Sequence, residues 1–388
     1  MKTQVGIVGA GPAGLLLSHL LHLEGIDSIV LDHRPREEIE ATVRAGVLEQ
    51  GTVDLLASVG LGKRLERQAL FHRGIYLRFG GRAHHVDMQS LTGGKRVTIY
   101  PQHEVLKDLI AARLDAGGQL LFDAEGVRIE GFGGAMPSIS FHHEGRAESI
   151  DCDFIAGCDG SHGVCRAAVP STHHERVYPF GWFGILVEAP PSSDELVYAS
   201  HPRGFALLST RSPTLQRFYL QCDPHDRTDH WPEARIWEEL HARTAIEGWR
   251  LREGRISQKI VVGMRSFVSE PMQHHRLFLA GDAAHVVPPT GAKGLNLAVA
   301  DVRLLARAFE RYYRKGDRAG LEGYSQAALP RVWACQRFSW WMTTLLHAGT
   351  GDSSFDEKRR LAELEYVASS HHAQAVLAEN YVGLPFEG

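Results

Sequence analysis

The sequence predicts an α/β fold in three parts: a parallel-sheet nucleotide-binding domain, an inserted sheet-rich domain, and a helical C-terminal region. Three observations predict it. A strand, a glycine loop, a helix and a second strand open the chain over residues 4–32. Two further segments, residues 154–166 and 277–282, each read as an apolar strand ending on an aspartate and a glycine, as strands do at the binding edge of an open α/β sheet. Between about Pro179 and Phe267 the pattern is strand-like, whereas Asp301 to about Tyr366 is largely helical in period. The parts are expected at residues 1–178 completed by 270–298, at 179–269, and at 299–388.

The opening unit is the most specific. Residues 4–8 form a short apolar strand, Gly9-Ala10-Gly11-Pro12-Ala13-Gly14 follows at once, and residues 15–23 carry helical spacing. Gly25 closes that helix, and residues 28–31 form the next strand, which ends on Asp32. A G-x-G-x-x-G loop in this setting brings backbone close to a pyrophosphate, the helix N-terminus attracts it, and the acid accepts from a ribose. The fingerprint occurs once, so a nicotinamide cofactor would have no second domain of this kind.

Residues 44–48 lead into an amphipathic helix through Leu55 and Leu56, residues 74–86 alternate as strands do, and residues 102–114 are helical. Strands are expected at 181–187, 205–209 and 217–221, with a helix around 234–242. At the centre of the chain, Gly281-Asp282 ends a strand, Pro288-Pro289 keeps the backbone extended, and a helix starts after Gly291 and Gly294. That helix places Leu295, Ala298, Val302 and Leu305 on one face, and its free N–H groups offer a site for negative charge. An ordinary strand–loop–helix corner has the same local pattern. Trp333, Phe338, Trp340 and Trp341 form an aromatic stripe suited to packing or to a subunit interface.

Composition narrows the class. The chain has 388 residues, 44% hydrophobic and 23% charged, with a net charge of −4. That size suggests two or three domains, and the charge leaves no basic footprint for nucleic acid. No uninterrupted apolar run reaches membrane-spanning length. Five cysteines, odd in number and without a C-x-x-C pair, point to a reduced, cytoplasmic protein. The 22 histidines include adjacent pairs but no H-E-x-x-H spacing, so they read as solvated side chains and no metal site is expected.

Gly9–Gly14 with Asp32, Asp159-Gly160 with Arg166, and Gly281-Asp282 with residues 288–294 together resemble the single-component flavoprotein aromatic hydroxylases. The resemblance runs nearly end to end. Residues 44–51, 178–181, 201–207, 265–271, 281–297, 338–343 and 379–385 look like the members that hydroxylate 4-hydroxybenzoate.

The resemblance implies a Rossmann-type FAD-binding domain with an inserted substrate domain. FAD would be held by Gly9, Gly11, Ala13, Gly14, Asp32, Arg44, Ala45, Gly46, Val47, Gln102, Asp159 and Asp282, with the backbone of Leu295 and Asn296 facing the flavin and Arg217 supplying charge beside it. NAD(P)H would bind on the same domain, near Arg34, Arg44, His162, Arg166 and Arg265. It would reduce the flavin, and a C4a-hydroperoxide formed with O2 would deliver oxygen to the carbon beside the phenol, giving 3,4-dihydroxybenzoate. Arg211, Ser209 and Tyr219 would hold the substrate carboxylate. Tyr198 and Tyr381 would carry the phenol proton toward His72, with the Pro289 carbonyl facing the hydroxyl. Taken singly, Arg211 reads as a solvated arginine before a ligand, Tyr198 as a core or surface aromatic and Tyr381 as an anchor for the C-terminus. A homodimer is the family expectation. Phe218 stands where the family pattern has tyrosine, and Thr42 where its NADPH-selective form has arginine, so both NADH and NADPH are expected to serve. Two rivals remain: a same-fold flavin hydroxylase or reductase acting on another phenolic acid, and a flavin-free binding protein.

Overall fold

The computed structural model describes residues 1–44, 46–349 and 351–386. Its first layer is a six-stranded sheet in the order Gln273–His274, Leu277–Leu279, Phe154–Gly157, Val5–Val8, Ser28–Leu31, Gln119–Leu121, parallel except for the outer pair at 273–279. Val5–Val8, Ser28–Leu31 and Phe154–Gly157 are buried at every position, as continuous apolar runs are when both faces of a parallel sheet are covered. Helices Pro12–Leu23, Gln102–Asp115 and Gly294–Lys315 pack with this sheet in one apolar core. Ile139, from a three-stranded antiparallel sheet, approaches Gly6 so closely that a Cβ there would stand 2.6 Å from it.

The second layer is an eight-stranded sheet in the order His285–Val286, Arg255–Glu270, Thr172–Glu188, Leu215–Cys222, Ala206–Ser212, Leu196–Ala199, Ile75–Phe79, Arg82–Val86. The expected strands over 181–187, 205–209 and 217–221 lie in it, and the expected helix is Glu233–Thr244. The strand Thr172–Glu188 runs through the boundary expected at 178, and the hairpin at 75–86 joins this sheet rather than the first. Period-two alternation gives the sheet two different faces. Tyr198, Phe205 and Leu207 face a core shared with the C-terminal helices, while Val197, Ala199, Ala206 and Leu208 face a separate core under the helix Glu233–Thr244.

Two local expectations are corrected. Residues 44–48 do not lead straight into a helix: Val47–Leu48 pairs with Val97–Ile99, and the helix starts at Gln50. Gly46 explains the pairing, since it lies against the Tyr100 carbonyl where a Cβ would come within 1.8 Å. Pro288 is extended, as expected, but Pro289–Gly291 forms a single 3₁₀ turn. Proline is tolerated at a first helical position because its missing N–H would have no partner there.

The C-terminal region consists of helices Tyr324–Leu346, Ser354–Ser369 and His371–Val382. The aromatic stripe divides: Phe338 is buried, whereas Trp333 and Trp340 are exposed. All five cysteines are free and buried. Among the described residues no helix is long and apolar enough to cross a membrane, and no cluster of side chains suits a metal ion.

Candidate active site

The glycine loop crosses the carboxyl edge of the first sheet. Gly9 has φ +109°, and a Cβ there would lie 2.3 Å from the Cys158 carbonyl. A Cβ on Gly14 would lie 1.9 Å from the Gly9 carbonyl, so the loop and helix can close only on glycine. Gly11 differs, because nothing stands within 4 Å of where its Cβ would be. That open space lies at the N-terminus of Pro12–Leu23, whose cap residue supplies no side-chain bond. Ala13 is buried just inside this helix. The arrangement leaves backbone N–H groups and a positive dipole end for a phosphate.

Asp32 ends the neighbouring strand, and its Oδ2 accepts from the Ala10 N–H at 2.8 Å. Arg34 grips the same carboxylate through Nε at 3.0 Å and Nη2 at 2.9 Å. Burial opposes the charge on Asp32, but these bonds outweigh it and hold the carboxyl below its usual range. Asp159 is the opposite case: burial raises it, although its Oδ2 accepts from the Cys165 N–H at 2.9 Å. Its Oδ1 is buried with no partner. Such an orphan calls for a donor from outside the chain.

Asp282 is exposed in the turn after Leu277–Leu279. Behind it, buried His285 and Asp301 meet at 2.7 Å, and Asp301 also accepts from the Gly281 N–H at 2.9 Å. Burial disfavours the imidazolium, but Asp301 more than offsets it and raises the His285 pKa. In the first turn of Gly294–Lys315, the N–H groups of Leu295 and Asn296 precede the first intrahelical donor, Leu297, and so remain available. The Asn296 side chain is already committed, accepting from Glu49 N–H and donating to Val47 and Ala292 carbonyls. Gln102 opens its helix half-buried, and Arg44 is exposed. Ala45 lies outside the described residues. The open glycine loop, the orphaned Asp159 oxygen and the free N–H groups all suit an FAD.

On the second sheet, Ser209, Arg211, Arg217 and Tyr219 share the face of Tyr198 through the pairing of Ser209 with Arg217 and of Leu207 with Tyr219. Arg211 is buried, 6% exposed, and its Nη1 donates to Ser209 Oγ at 2.5 Å. Burial and the nearby charge of Arg217 lower its pKa, while Tyr219 beside it works the other way. Among the described residues no carboxylate pairs with it. Arg217 is also buried; its Nη1 donates to Gln258 Oε1 at 2.7 Å, and its Nε has no partner.

Tyr198 and Tyr381 meet hydroxyl to hydroxyl at 2.6 Å, joining the sheet to the helix His371–Val382. Tyr198 donates to the Thr290 carbonyl at 3.2 Å, so Tyr381 donates to Tyr198 in this arrangement. Burial pushes Tyr198 up to about 12 and Tyr381 well above its ordinary 10. Both phenols are therefore neutral carriers of a proton rather than bases. The charge of Arg211 acts on both, and the strand pairing sets Arg211 on the same face of the sheet as Tyr198. The Pro289 carbonyl accepts from the Ala292 N–H at 3.0 Å and keeps a second lone pair.

His72 is buried on the strand Leu70–His72 with Nδ1 unpartnered, and no direct bond among the described residues links it to Tyr381. Burial, opposed by the charges of Glu195 and Asp194, lowers its pKa. A neutral imidazole is the proton-accepting form.

Sequence reasoning missed Lys293. Its Nζ sits buried at 2.6 Å from Glu49 Oε1 and donates to the Asn380 and Tyr381 carbonyls. It thus fixes the C-terminal end of the helix that carries Tyr381, the end where a cation is favoured. A lysine beside a glycine is the only local signal, and it does not reveal burial.

The expected nucleotide residues are scattered in their bonding. Arg34 is held by Asp32, and Arg265 lies 3.5 Å from Glu175. Arg166 donates to the Asp282 and Ala283 carbonyls and stacks on Phe267 at 3.9 Å. His162 is exposed in the loop after Phe154–Gly157.

Comparisons with known proteins bear on the family and the fold. The family described as FAD binding domain matches residues 2–339. The chain is 48% identical over 391 residues to a p-hydroxybenzoate hydroxylase of Acinetobacter baylyi, covering 100% of this chain and 96% of the relative. It is 28% identical to a rifampicin monooxygenase of Streptomyces venezuelae, over 76% of this chain and 61% of that one. Among solved structures, p-nitrophenol 4-monooxygenase from Pseudomonas putida superposes with a TM-score of 0.83 at 18% identity, covering 99% of both chains, which is a likeness of fold.

Proposed function

The chain belongs to the FAD-binding-domain family, and from that premise we propose that it is a 4-hydroxybenzoate 3-monooxygenase. The reaction consumes 4-hydroxybenzoate, O2, NAD(P)H and a proton, and yields 3,4-dihydroxybenzoate, water and NAD(P)⁺. Bound FAD supplies the redox chemistry, taking hydride from the nicotinamide and activating O2.

The observation that carries the substrate class is Arg211. A buried guanidinium with no counter-charge is costly, so its pocket calls for an anion from outside. A benzoate carboxylate fits a planar fork bidentately, with Ser209 and Tyr219 as further donors. The ring then extends toward Tyr198. Electrophilic hydroxylation needs an electron-rich ring, and a phenol near 10 must lose its proton at neutral pH. Tyr198 accepts that proton, Tyr381 carries it on, and neutral His72 receives it through water. Outward transfer requires the two phenols to turn, with Tyr198 donating to Tyr381. The Pro289 carbonyl faces the substrate hydroxyl.

Gly9, Gly11, Ala13 and Gly14 cradle the FAD pyrophosphate. Asp32, Arg44, Ala45, Gly46, Val47, Gln102, Asp159 and Asp282 would hold the rest of the FAD, Leu295 and Asn296 would offer their backbone N–H groups to the flavin, and Arg217 would supply positive charge. Arg34, Arg44, His162, Arg166 and Arg265 receive the nicotinamide nucleotide, and two chains form a dimer. The FAD domain, the inserted sheet domain and the helical region would together enclose the substrate beside the FAD.

The deciding experiment is product analysis under air, with NADH or NADPH and a panel of hydroxybenzoates. Stoichiometric 3,4-dihydroxybenzoate from 4-hydroxybenzoate is expected. Faster turnover of another phenolic acid, or a protein that retains no flavin, would reject the reading.

A further inference from the structure

On its other face the eight-stranded sheet carries another buried arginine that has no carboxylate partner among the described residues. In the parallel register of Ile75–Phe79 with Leu196–Ala199, Leu77 pairs with Tyr198 and Arg78 with Ala199. Leu77 and Tyr198 share the core of the substrate pocket, whereas Ala199 belongs to the core on the opposite face. Arg78 therefore points away from the Arg211 pocket. There it lines a cleft of about 560 Å³ together with Tyr76, Ser193, Asp194, Trp249 and Arg252. That volume lies in the range of small-ligand sites.

Arg78 is 5% exposed. Its guanidinium lies over the Trp249 ring at 3.9 Å, and Nη1 donates to the Thr244 carbonyl at 2.9 Å. Nε is buried without a partner, and among the described residues Nη2 has none either and no carboxylate pairs with the group. Burial lowers its pKa to about 10, which still leaves it charged near neutral pH. Stacking on tryptophan offsets part of the cost of burying the charge, but it satisfies no N–H group. Nε and Nη2 lie along one edge of the planar fork, the edge suited to two parallel bonds with a carboxylate. Arg252 is an exposed second cation on the lining, and Asp194 an exposed anion. Two arginines against one aspartate leave a single net positive charge, which favours a monocarboxylate over a doubly charged phosphate.

We propose that this cleft is a second ligand site, in which the Nε–Nη2 edge of Arg78, assisted by Arg252, binds a small monocarboxylate on the face of the sheet opposite Arg211.

Benzoate is the probe, measured by equilibrium dialysis against the FAD-loaded protein. Two benzoates per chain are expected in the parent, one in Arg78→Gln, one in Arg211→Gln, and none in the double variant. In the Arg211→Gln background, neutral benzamide should not displace the remaining benzoate. Arg252→Gln, a change at an exposed position, should weaken that binding at least threefold. A single benzoate per chain that Arg78→Gln abolishes would keep this site and remove the Arg211 assignment. The proposal is overturned if Arg78→Gln removes no site, or if benzamide competes as well as benzoate. Should Arg78→Gln fail to fold, unchanged affinity in Arg252→Gln overturns it.

Discussion

At the scale of single residues, the site rests on one charge and two phenols. Arg211→Ala should weaken 4-hydroxybenzoate binding by about 2–5 kcal/mol, because a buried carboxylate would lose its charged partner. Flavin-absorbance titration measures it, and unchanged affinity would remove Arg211 from the carboxylate site. Tyr198→Phe should leave binding and flavin reduction in place while product falls well below O2 consumed, since the 2.6 Å link to Tyr381 is cut. Oxygen uptake compared with 3,4-dihydroxybenzoate formed is the readout, and a fully coupled variant would exclude the tyrosine relay. The residue types were readable in the sequence. Their joint burial was not, because Tyr198 and Tyr381 are brought together from parts of the chain 183 residues apart.

At the scale of elements, the glycine loop and the segment after Ser28–Leu31 decide the two nucleotides. Gly14→Ala should lower FAD affinity at least tenfold, about 1.4 kcal/mol, because its Cβ must push the Gly9 carbonyl from 1.9 Å. The flavin-to-protein absorbance ratio after purification tests this, with circular dichroism to confirm folding. For the hydride donor, both candidate arginines are already paired: Arg34 with Asp32 at 2.9 Å and Arg36 with Glu40 at 2.6 Å. Glu37 and Glu38 occupy the first turn of the helix Arg36–Ala41. A 2′-phosphate would find neutralised arginines and nearby negative charge. NADH and NADPH should therefore differ in kcat/KM by no more than about tenfold. A hundredfold preference for either, with 4-hydroxybenzoate saturating, would contradict this. The loop was legible because its glycines and Asp32 are close in sequence. The strand Val47–Leu48 was not, because its partner Val97–Ile99 is remote and the decisive contact is that of Gly46 with Tyr100.

At the scale of the whole molecule, His347 ties the C-terminal helices to the second sheet. Its Nε2 accepts from Trp182 Nε1 at 2.6 Å, so its Nδ1 carries the proton and donates to the Thr343 carbonyl at 2.9 Å. It also stacks on Phe180 at 4.7 Å. Burial lowers its pKa to about 3 from the ordinary 6.5, leaving the neutral form in the fold. The unfolded chain thus binds the proton more readily. The contribution is complete above pH 6.5 and is lost as pH falls toward about 3, by up to about 1.4 kcal/mol per pH unit. Urea unfolding between pH 6.5 and 4.5 should show that slope reduced by close to one proton in His347→Gln. An unchanged slope would mean that the His347 site is not closed to the proton.

The sequence by itself determined the nucleotide domain, the approximate strands of the inserted sheet, the helical C-terminal region and the residue types of the site. Each of these is written in local periodicity or in glycines and acids a few positions apart. Only the tertiary structure decided that the hairpin at 75–86 joins the second sheet, that Lys293 is buried under the helix carrying Tyr381, and that Asp32 is gripped by Arg34. It also separated Arg211 from Arg78, two arginines that look alike in sequence but lie on opposite faces of one sheet. Burial and pairing of a charge depend on residues distant along the chain, and period alone does not say which face of a strand another element will cover.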